Sequence, residues 1–415
     1  MTIQEARQLL PENTDRYLVD LYRGWDALER GKYKNPIIDF DLAPSRPYLS
    51  ISHRAEVLER LVTAATGLDG ETAGAAELTR ARLNASINYL RALLGESIPF
   101  RSYIKRTLGV EPRIFTDEEI GKQLTLVKDQ LWAEYHMQFW KTDISRFQGR
   151  FMVYDTKKLP GQFERFQSKW VPVLLERIPV PLNEYKVNVR FASEDAYWKN
   201  WISGSLSEHE ILLRINIHPR QVWYQGFSEM LVIHEYCGHA IQMISWHRRI
   251  ERRELPEFLG ILTVHFPDQY LLEGLAESLV FVLPGRQELE RESLVLRDLH
   301  RYNLLIMNNV HIIANERGTQ EALQYGLRNL PFTSEELIKK EIRDRTQNPL
   351  FRCYQYVYGI AKESFLAMFS RLGPKQSWNL LRTAYELPMT AAQVESTAND
   401  LAIRASEPVA RHRMA

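Results

Sequence analysis

Leu231-Val-Ile-His-Glu-Tyr-Cys-Gly-His-Ala-Ile-Gln-Met243 sets two imidazoles, His234 and His239, and one carboxylate, Glu235, into an otherwise apolar run. Neutral imidazole nitrogens bind divalent metals, and a carboxylate next to the first ligand can serve as general base toward water at that metal. A stretch this apolar reads as a buried helix. The spacing sets a condition on its geometry. In the familiar zincin helix the histidines are four apart and share a face; here they are five apart, and an ideal α-helix would splay them by about 140°. A π-bulge of about 4.4 residues per turn returns them to one side. Gly238, just before His239, is the residue that best tolerates such a distortion.

A metal site of this kind needs a third protein ligand and groups that orient the ligands. Leu271-Leu-Glu-Gly-Leu-Ala-Glu-Ser278 supplies two carboxylates four apart, which share a helix face. Their neighbours Leu271, Leu272, Leu275, Ala276, Leu279, Val280 and Phe281 are too apolar for an ordinary solvated face, and buried carboxylates without partners are costly. Glu273 is therefore assigned to the metal, and Glu277 to the second N–H of a ligand histidine. Cys237 lies three residues after His234 and would share its face without any bulge; zinc accepts sulfur. The two histidines and the glutamate already form a set, so Cys237 is left out of it.

His-Glu-x-x-Gly-His followed by a Glu-x-x-x-acid helix resembles the glutamate-zincins, and the Gly-His ending resembles that of dipeptidyl peptidase III. A nearer resemblance is to a bacterial family of helical zinc-peptidase-like proteins with His-Glu-x-x-Pro-Gly-His-His-x-Gln, Glu-Gly-Trp-Ala and a C-terminal Pro…Tyr-x-x-Gly. This chain carries His234-Glu-Tyr-Cys-Gly-His-Ala-Ile-Gln242, Glu273-Gly-Leu-Ala276 and Pro349…Tyr356-Val-Tyr-Gly359. It lacks the proline and the second histidine, and has Leu275 in place of tryptophan. The similarity runs from about residue 80 to 370 and is concentrated in 234–277. It implies a mainly α, zincin-like helical body with a small β-sheet beside the metal helix, and zinc-dependent hydrolysis of peptide bonds.

At 415 residues the chain can bury a large core. Hydrophobic and charged contents of 45% and 25% are those of a globular protein, and a net charge of +1 argues against a nucleic-acid surface. Two cysteines, Cys237 and Cys353, exclude a disulfide framework. The first residues lack the build of a signal peptide, and no apolar run approaches membrane-spanning length. The expected setting is the cytoplasm, with no membrane partner.

Two regions are expected, 1–178 helical and 179–415 carrying the site, together forming one cleft. Helices are expected over 52–67, 75–94, 98–108 and 117–147, the second stopping at Gly95. The aromatics near the end of 117–147 read as helix–helix core, with His136 among them as an ordinary histidine. Lys186–Phe191 and Ile211–His218 alternate with period two, as strands do. By resemblance, 211–217 is an edge strand able to pair with an extended peptide, although a short structural hairpin fits the pattern equally. Glu251–Pro256 reads as a solvated connector, and 287–309, 319–330, 333–345, 352–372 and 375–386 as further helices before a loose tail. Arg345, with Arg343 close behind it, and Tyr356 and Tyr358 are candidates to donate to a developing oxyanion or to hold a substrate carboxylate. His311 is a candidate proton donor.

These roles describe a metallohydrolase acting on a short peptide or a peptide-like small molecule. His234, His239 and Glu273 hold Zn²⁺, and Glu235 is the general base. Two other classes fit the same residues. A His/His/carboxylate set suits Fe²⁺ and non-hydrolytic chemistry on a small molecule, and a helical binding protein could retain a vestigial site.

Overall fold

The computed structural model describes residues 10–43, 48–68, 74–153, 155–195, 199–205, 209–284 and 288–406. The expected tail and the first nine residues lie outside them. The protein is mainly α. Helices α1 (Glu12–Leu28), α2 (Arg54–Gly67), α3 (Gly74–Leu93), α4 (Phe100–Leu108), α5 (Asp117–Tyr135), α6 (Lys141–Phe151) and α7 (Leu159–Arg177) precede the sheet region. The site helix α8 runs through Phe227–Leu231, Val232–Ala240 and Ile241–Glu251. After it come α9 (Gln269–Val282), α10 (Arg291–Glu316), α11 (Thr319–Asn329), α12 (Glu335–Gln347), α13 (Pro349–Glu386) and α14 (Ala391–Ser406). No helix among the described residues is long and apolar enough to cross a membrane.

Local chemistry sets these boundaries. Thr116 and Glu119 form a reciprocal capping box at the start of α5. The long helix expected over 117–147 is two helices, because His136 takes a left-handed conformation (φ 54°) that ends α5. The two helices expected over 352–372 and 375–386 are both present within α13, separated by a kink where Gly373 (φ 71°) leaves the helical conformation before Pro374. Asn348 caps α13 by accepting from the Leu350 N–H, with Pro349 at its first position.

Five short strands form one sheet in the order β2-β4-β3-β1-β5. They are β1 (Phe40–Asp41), β2 (Lys186–Ala192), β3 (Asn200–Ser205), β4 (Glu210–Asn216) and β5 (Ile261–Leu262). The two strands legible in the sequence, β2 and β4, are parallel neighbours. β3 lies antiparallel on the other side of β4. The expectation that 211–217 is an edge is therefore overturned: β4 is central, and Ile211, Leu213 and Ile215 alternate into the core. The strand that borders the cleft is β3, whose Trp-Ile-Ser-Gly-Ser stretch has too little alternation to announce itself.

The larger hydrophobic core crosses residue 178, joining Phe163, Phe166 and Trp170 of α7 to α8, α9, α10 and α13. A second core packs α1, α2 and α3 around Phe258, Ile261 and Phe266. Arg82 of α3 is fully buried there and bonds Asp268 in a two-point ion pair, with Nη1 donating to the Phe258 and Ile261 carbonyls. That pair pins the segment entering α9. In the connector after α8, Glu251, Arg252 and Arg253 are exposed as expected, while Leu255 turns inward.

Candidate metal centre

Residues Val232–Ala240 are π-helical. The bulge required by the five-residue histidine spacing is present, and it puts the rings of His234 and His239 on one side, with centroids 4.9 Å apart and planes at 83°. Gly238 has a different reason for being glycine than backbone distortion. A Cβ there would lie 2.9 Å from the Ala276 Cβ and 3.1 Å from its Cα, so α9 sits directly against the bulge. Gly274 plays the same part on the opposite face, where a Cβ would meet the Phe365 ring of α13 at 2.6 Å. Two small-residue contacts thus draw α8, α9 and α13 together around the carboxylates of α9.

That packing brings Glu273 to the histidines. Its Oε2 lies 3.6 Å from His234 Nε2 and 3.7 Å from His239 Nε2, and one ligand atom from each of the three residues falls within 4.8 Å of the others. Glu273 Oε2 is buried without a hydrogen-bond partner, while Oε1 accepts from Tyr354 OH at 2.9 Å. Two imidazole nitrogens and one unpartnered carboxylate oxygen converging in this way are the donor set a divalent cation requires. Burial works against ionisation of Glu273, yet the neighbouring His239 and His234 outweigh it and hold the carboxyl below its usual range. His239 is opposed by burial and held above its ordinary value by Glu273, Glu235 and Glu277.

Glu235 Oε1 lies 3.6 Å from His234 Nε2. Burial, reinforced by Glu273 and Glu277 and opposed by the two histidines, raises its carboxyl pKa. The side-chain amide of Asn200, the first residue of β3, donates to Glu235 Oε1. Nothing in the sequence marked Asn200, because the strand that carries it was not legible.

Glu277 lies behind His234, with its Oε1 3.6 Å from Nδ1. On its other side it meets His300 Nε2 at 3.3 Å and the buried Lys362 ammonium. Burial opposes its ionisation, but Lys362 and His300 dominate and hold it well below the normal carboxylate range. A carboxylate kept ionised against Nδ1 favours the tautomer with its proton on Nδ1, leaving Nε2 as the lone-pair donor.

The other sequence candidates separate. Tyr358 lines the cleft, and its hydroxyl donates to Tyr354 OH at 2.5 Å. Burial and the Glu273 charge keep both phenols protonated. Tyr356 does not reach the site: it is buried on another side of α13, and its oxygen accepts from the Arg113 N–H at 3.0 Å. The helical period explains this, because Tyr354 and Tyr358 are four apart and share a face that Tyr356 cannot. Tyr354 was the residue to choose, by its i,i+4 relation to Tyr358. His311 is not a proton donor to the cleft either; it packs between the Phe100 and Tyr356 rings, with centroids at 5.1 and 5.6 Å. Burial, with Arg345 and Arg352, holds it neutral. Arg345 does not itself line the cleft: it is buried behind the wall, bonded to Glu341 and to Gln355 Oε1 (3.1 Å), and Arg343 is exposed. Cys237 is buried off the site and its carbonyl accepts from Tyr385 OH at 2.6 Å; burial pushes its thiol far up.

The site opens into a cleft of about 1160 Å³ lined by β3, α8, α9 and α13. His234 is the most accessible of the ligand set, its side chain 19% exposed against 4% for Glu273.

No protein-family model and no curated protein matches this sequence. Among solved structures, the chain is similar to "the putative lipoprotein from Colwellia psychrerythraea" with a TM-score of 0.58 and 13% identity. The match covers 84% of this chain and 66% of that one, so this chain spans about two thirds of that protein's length. A "putative lipoprotein of unknown function from Shewanella oneidensis" matches at a TM-score of 0.46 and 12% identity, over 84% of this chain and 72% of that one. The first of these likenesses shows a shared fold.

Proposed function

We propose that this protein is a metallopeptidase acting on short or unstructured peptides or peptide-like small molecules, with zinc held by His234, His239 and Glu273. The observation that carries the reading is the buried, unpartnered Oε2 of Glu273 facing both Nε2 atoms, with Glu235 beside them. A bound zinc ion supplies Lewis acidity and lowers the pKa of water at the site. The protein's own groups do the rest. Glu235 takes the proton of the attacking water at its carboxylate and returns it to the leaving amine; its raised pKa suits both transfers. Asn200 fixes the orientation of that carboxylate. Tyr358 is the phenol in the cleft wall that would donate to the oxyanion by turning its hydroxyl from Tyr354. Among the described residues β1 pairs with β3 only at Gly204 and Ser205, so the outer edge of Asn200–Ser203 faces the cleft and can hydrogen-bond an extended peptide. A cleft of about 1160 Å³ suits an extended peptide segment rather than a folded domain. Two buried free cysteines fit a cytoplasmic setting, which belongs to this proposal.

The test is metal analysis of protein purified without added metal, followed by a peptide-hydrolysis screen of wild type and Glu235→Gln. About one zinc per chain in both, with turnover in wild type and a loss of 100-fold or more in the variant, supports the reading. Zinc-loaded wild type that cleaves no peptide would sink it. The same donor set suits Fe²⁺. Stoichiometric iron and oxygen uptake would favour that chemistry, but a base held by Asn200 beside the ligands is a requirement of hydrolysis rather than of redox work. Failure to retain any metal would favour a binding protein with a vestigial site.

A further inference from the structure

The outer edge of β3 ends at a wall. Beyond Ser203 the edge is occupied by β1, with Phe40 paired to Gly204 and Asp41 to Ser205, and β1 is itself closed off by β5. Asn200, at the open end, hydrogen-bonds the catalytic carboxylate. Asn200 to Ser203 is three residue steps, on the order of 10 Å of extended chain. A peptide lying on this edge therefore has room for no more than about three residues between Glu235 and the wall.

A carboxylate stands at that wall. Asp39, the residue before β1, lines the main cleft and also a smaller recess of about 560 Å³ on its far side. Its Oδ2 is buried with no hydrogen-bond partner. The cations around it are committed elsewhere. Arg23 makes a two-point pair with Asp41 at 2.7 and 2.9 Å. Arg30 bonds Asp26 and the Ile38 carbonyl, although its charge still reaches Asp39. An enclosed carboxylate with an unused oxygen is costly unless a cation comes to it. Burial, then the neighbouring Asp26 charge, pushes Asp39 up to about 7, against Arg30 and a hydrogen bond from the Val264 backbone.

We infer that Asp39 is the subsite for the free N-terminal ammonium of the substrate, which makes the protein an exopeptidase that releases one to three residues from a peptide's N-terminus. Charge sets the polarity of the bound strand: the N-terminus lies at Asp39 and the chain runs antiparallel to β3 toward Asn200 and Glu235. This rests on the metallopeptidase reading above.

Calorimetric binding to zinc-loaded Glu235→Gln protein tests it without depending on turnover. The probes are Ala-Ala-Phe-Ala, its N-acetyl form, and N-acetyl-Lys-Ala-Phe-Ala. The free peptide should bind at least tenfold more tightly than either acetylated one, and adding Asp39→Asn should erase the difference. Equal binding of free and acetylated peptides, no binding of either, or a preference that survives Asp39→Asn would overturn the subsite. Full rescue by the lysine side chain would overturn its assignment to the N-terminus. Wild type that shows the preference but cleaves none of the three loses the hydrolase reading and keeps the subsite. Wild type that cleaves acetylated and free peptides equally well loses the subsite and keeps hydrolysis.

Discussion

Glu273 divides one carboxylate between two tasks, Oε1 accepting from Tyr354 and Oε2 left for the histidines. Removing that phenolic donor loosens the orientation without touching a ligand. Tyr354→Phe should weaken zinc binding by about 10- to 100-fold, as losses of such supporting hydrogen bonds do. Competition against a chromophoric chelator measures this, and unchanged affinity would show that Tyr354 merely packs. Asp39 carries a cost of the opposite kind. Its folded-state pKa of about 7 lies above its ordinary 3.8, so the folded protein favours the protonated form. Stability linked to this group is fully present below pH 3.8 and is lost as pH rises through 7. Asp39→Asn, which cannot ionise, should therefore raise Tm at pH 8 and leave it nearly unchanged at pH 4. An equal shift at both would show that the change acts through packing alone.

At the scale of elements, the site depends on how closely α8 and α9 approach. Their contact is Gly238 on Ala276, and an added methyl on Gly238 would sit 2.9 Å from the Ala276 Cβ. Overpacking of this kind costs about 1–3 kcal/mol. Gly238→Ala should lower urea stability by that amount and also weaken zinc binding, because the helices that carry the ligands are pushed apart. A stability loss with unchanged zinc affinity would separate the contact from the site. The start of α9 is set by the Arg82–Asp268 pair, both partners fully buried. Arg82→Met leaves Asp268 as an uncompensated buried charge and should cost about 3–5 kcal/mol, read from the denaturation midpoint. A cost below about 1 kcal/mol would mean that Asp268 finds another partner or protonates.

Across the whole molecule, the candidate ligands of α8 and α9 and supporting groups from β3, α10 and α13 meet at one point, so a metal bound there should stabilise the fold globally. Stripping zinc with a chelator should lower Tm, and restoring it should raise Tm with the logarithm of free zinc; Glu273→Gln should abolish most of that response. A Tm indifferent to zinc in wild type would mean that the three donors do not act together. Much of this centre was legible from residue types and spacing. The histidine pair, the neighbouring glutamate and the Glu273–Glu277 pair stand within two short segments, and the five-residue interval itself demanded the π-turn found at Val232–Ala240. Short-range periodicity is a property of the chain, so it could be read before folding. Asn200, His300, Lys362 and Asp39 could not be chosen that way. Each comes from a different element more than thirty residues from one or both motifs, and only packing decides whether its side chain turns toward the ligands. The same limit explains His311, Arg345 and Tyr356, whose residue types suited the chemistry but whose side chains are packed against or bonded to other partners. The order of strands was decided in three dimensions too: alternation marks a strand, but whether it lies at an edge depends on which neighbours pair with it, and here β3 and β1 determine where an extended ligand can lie.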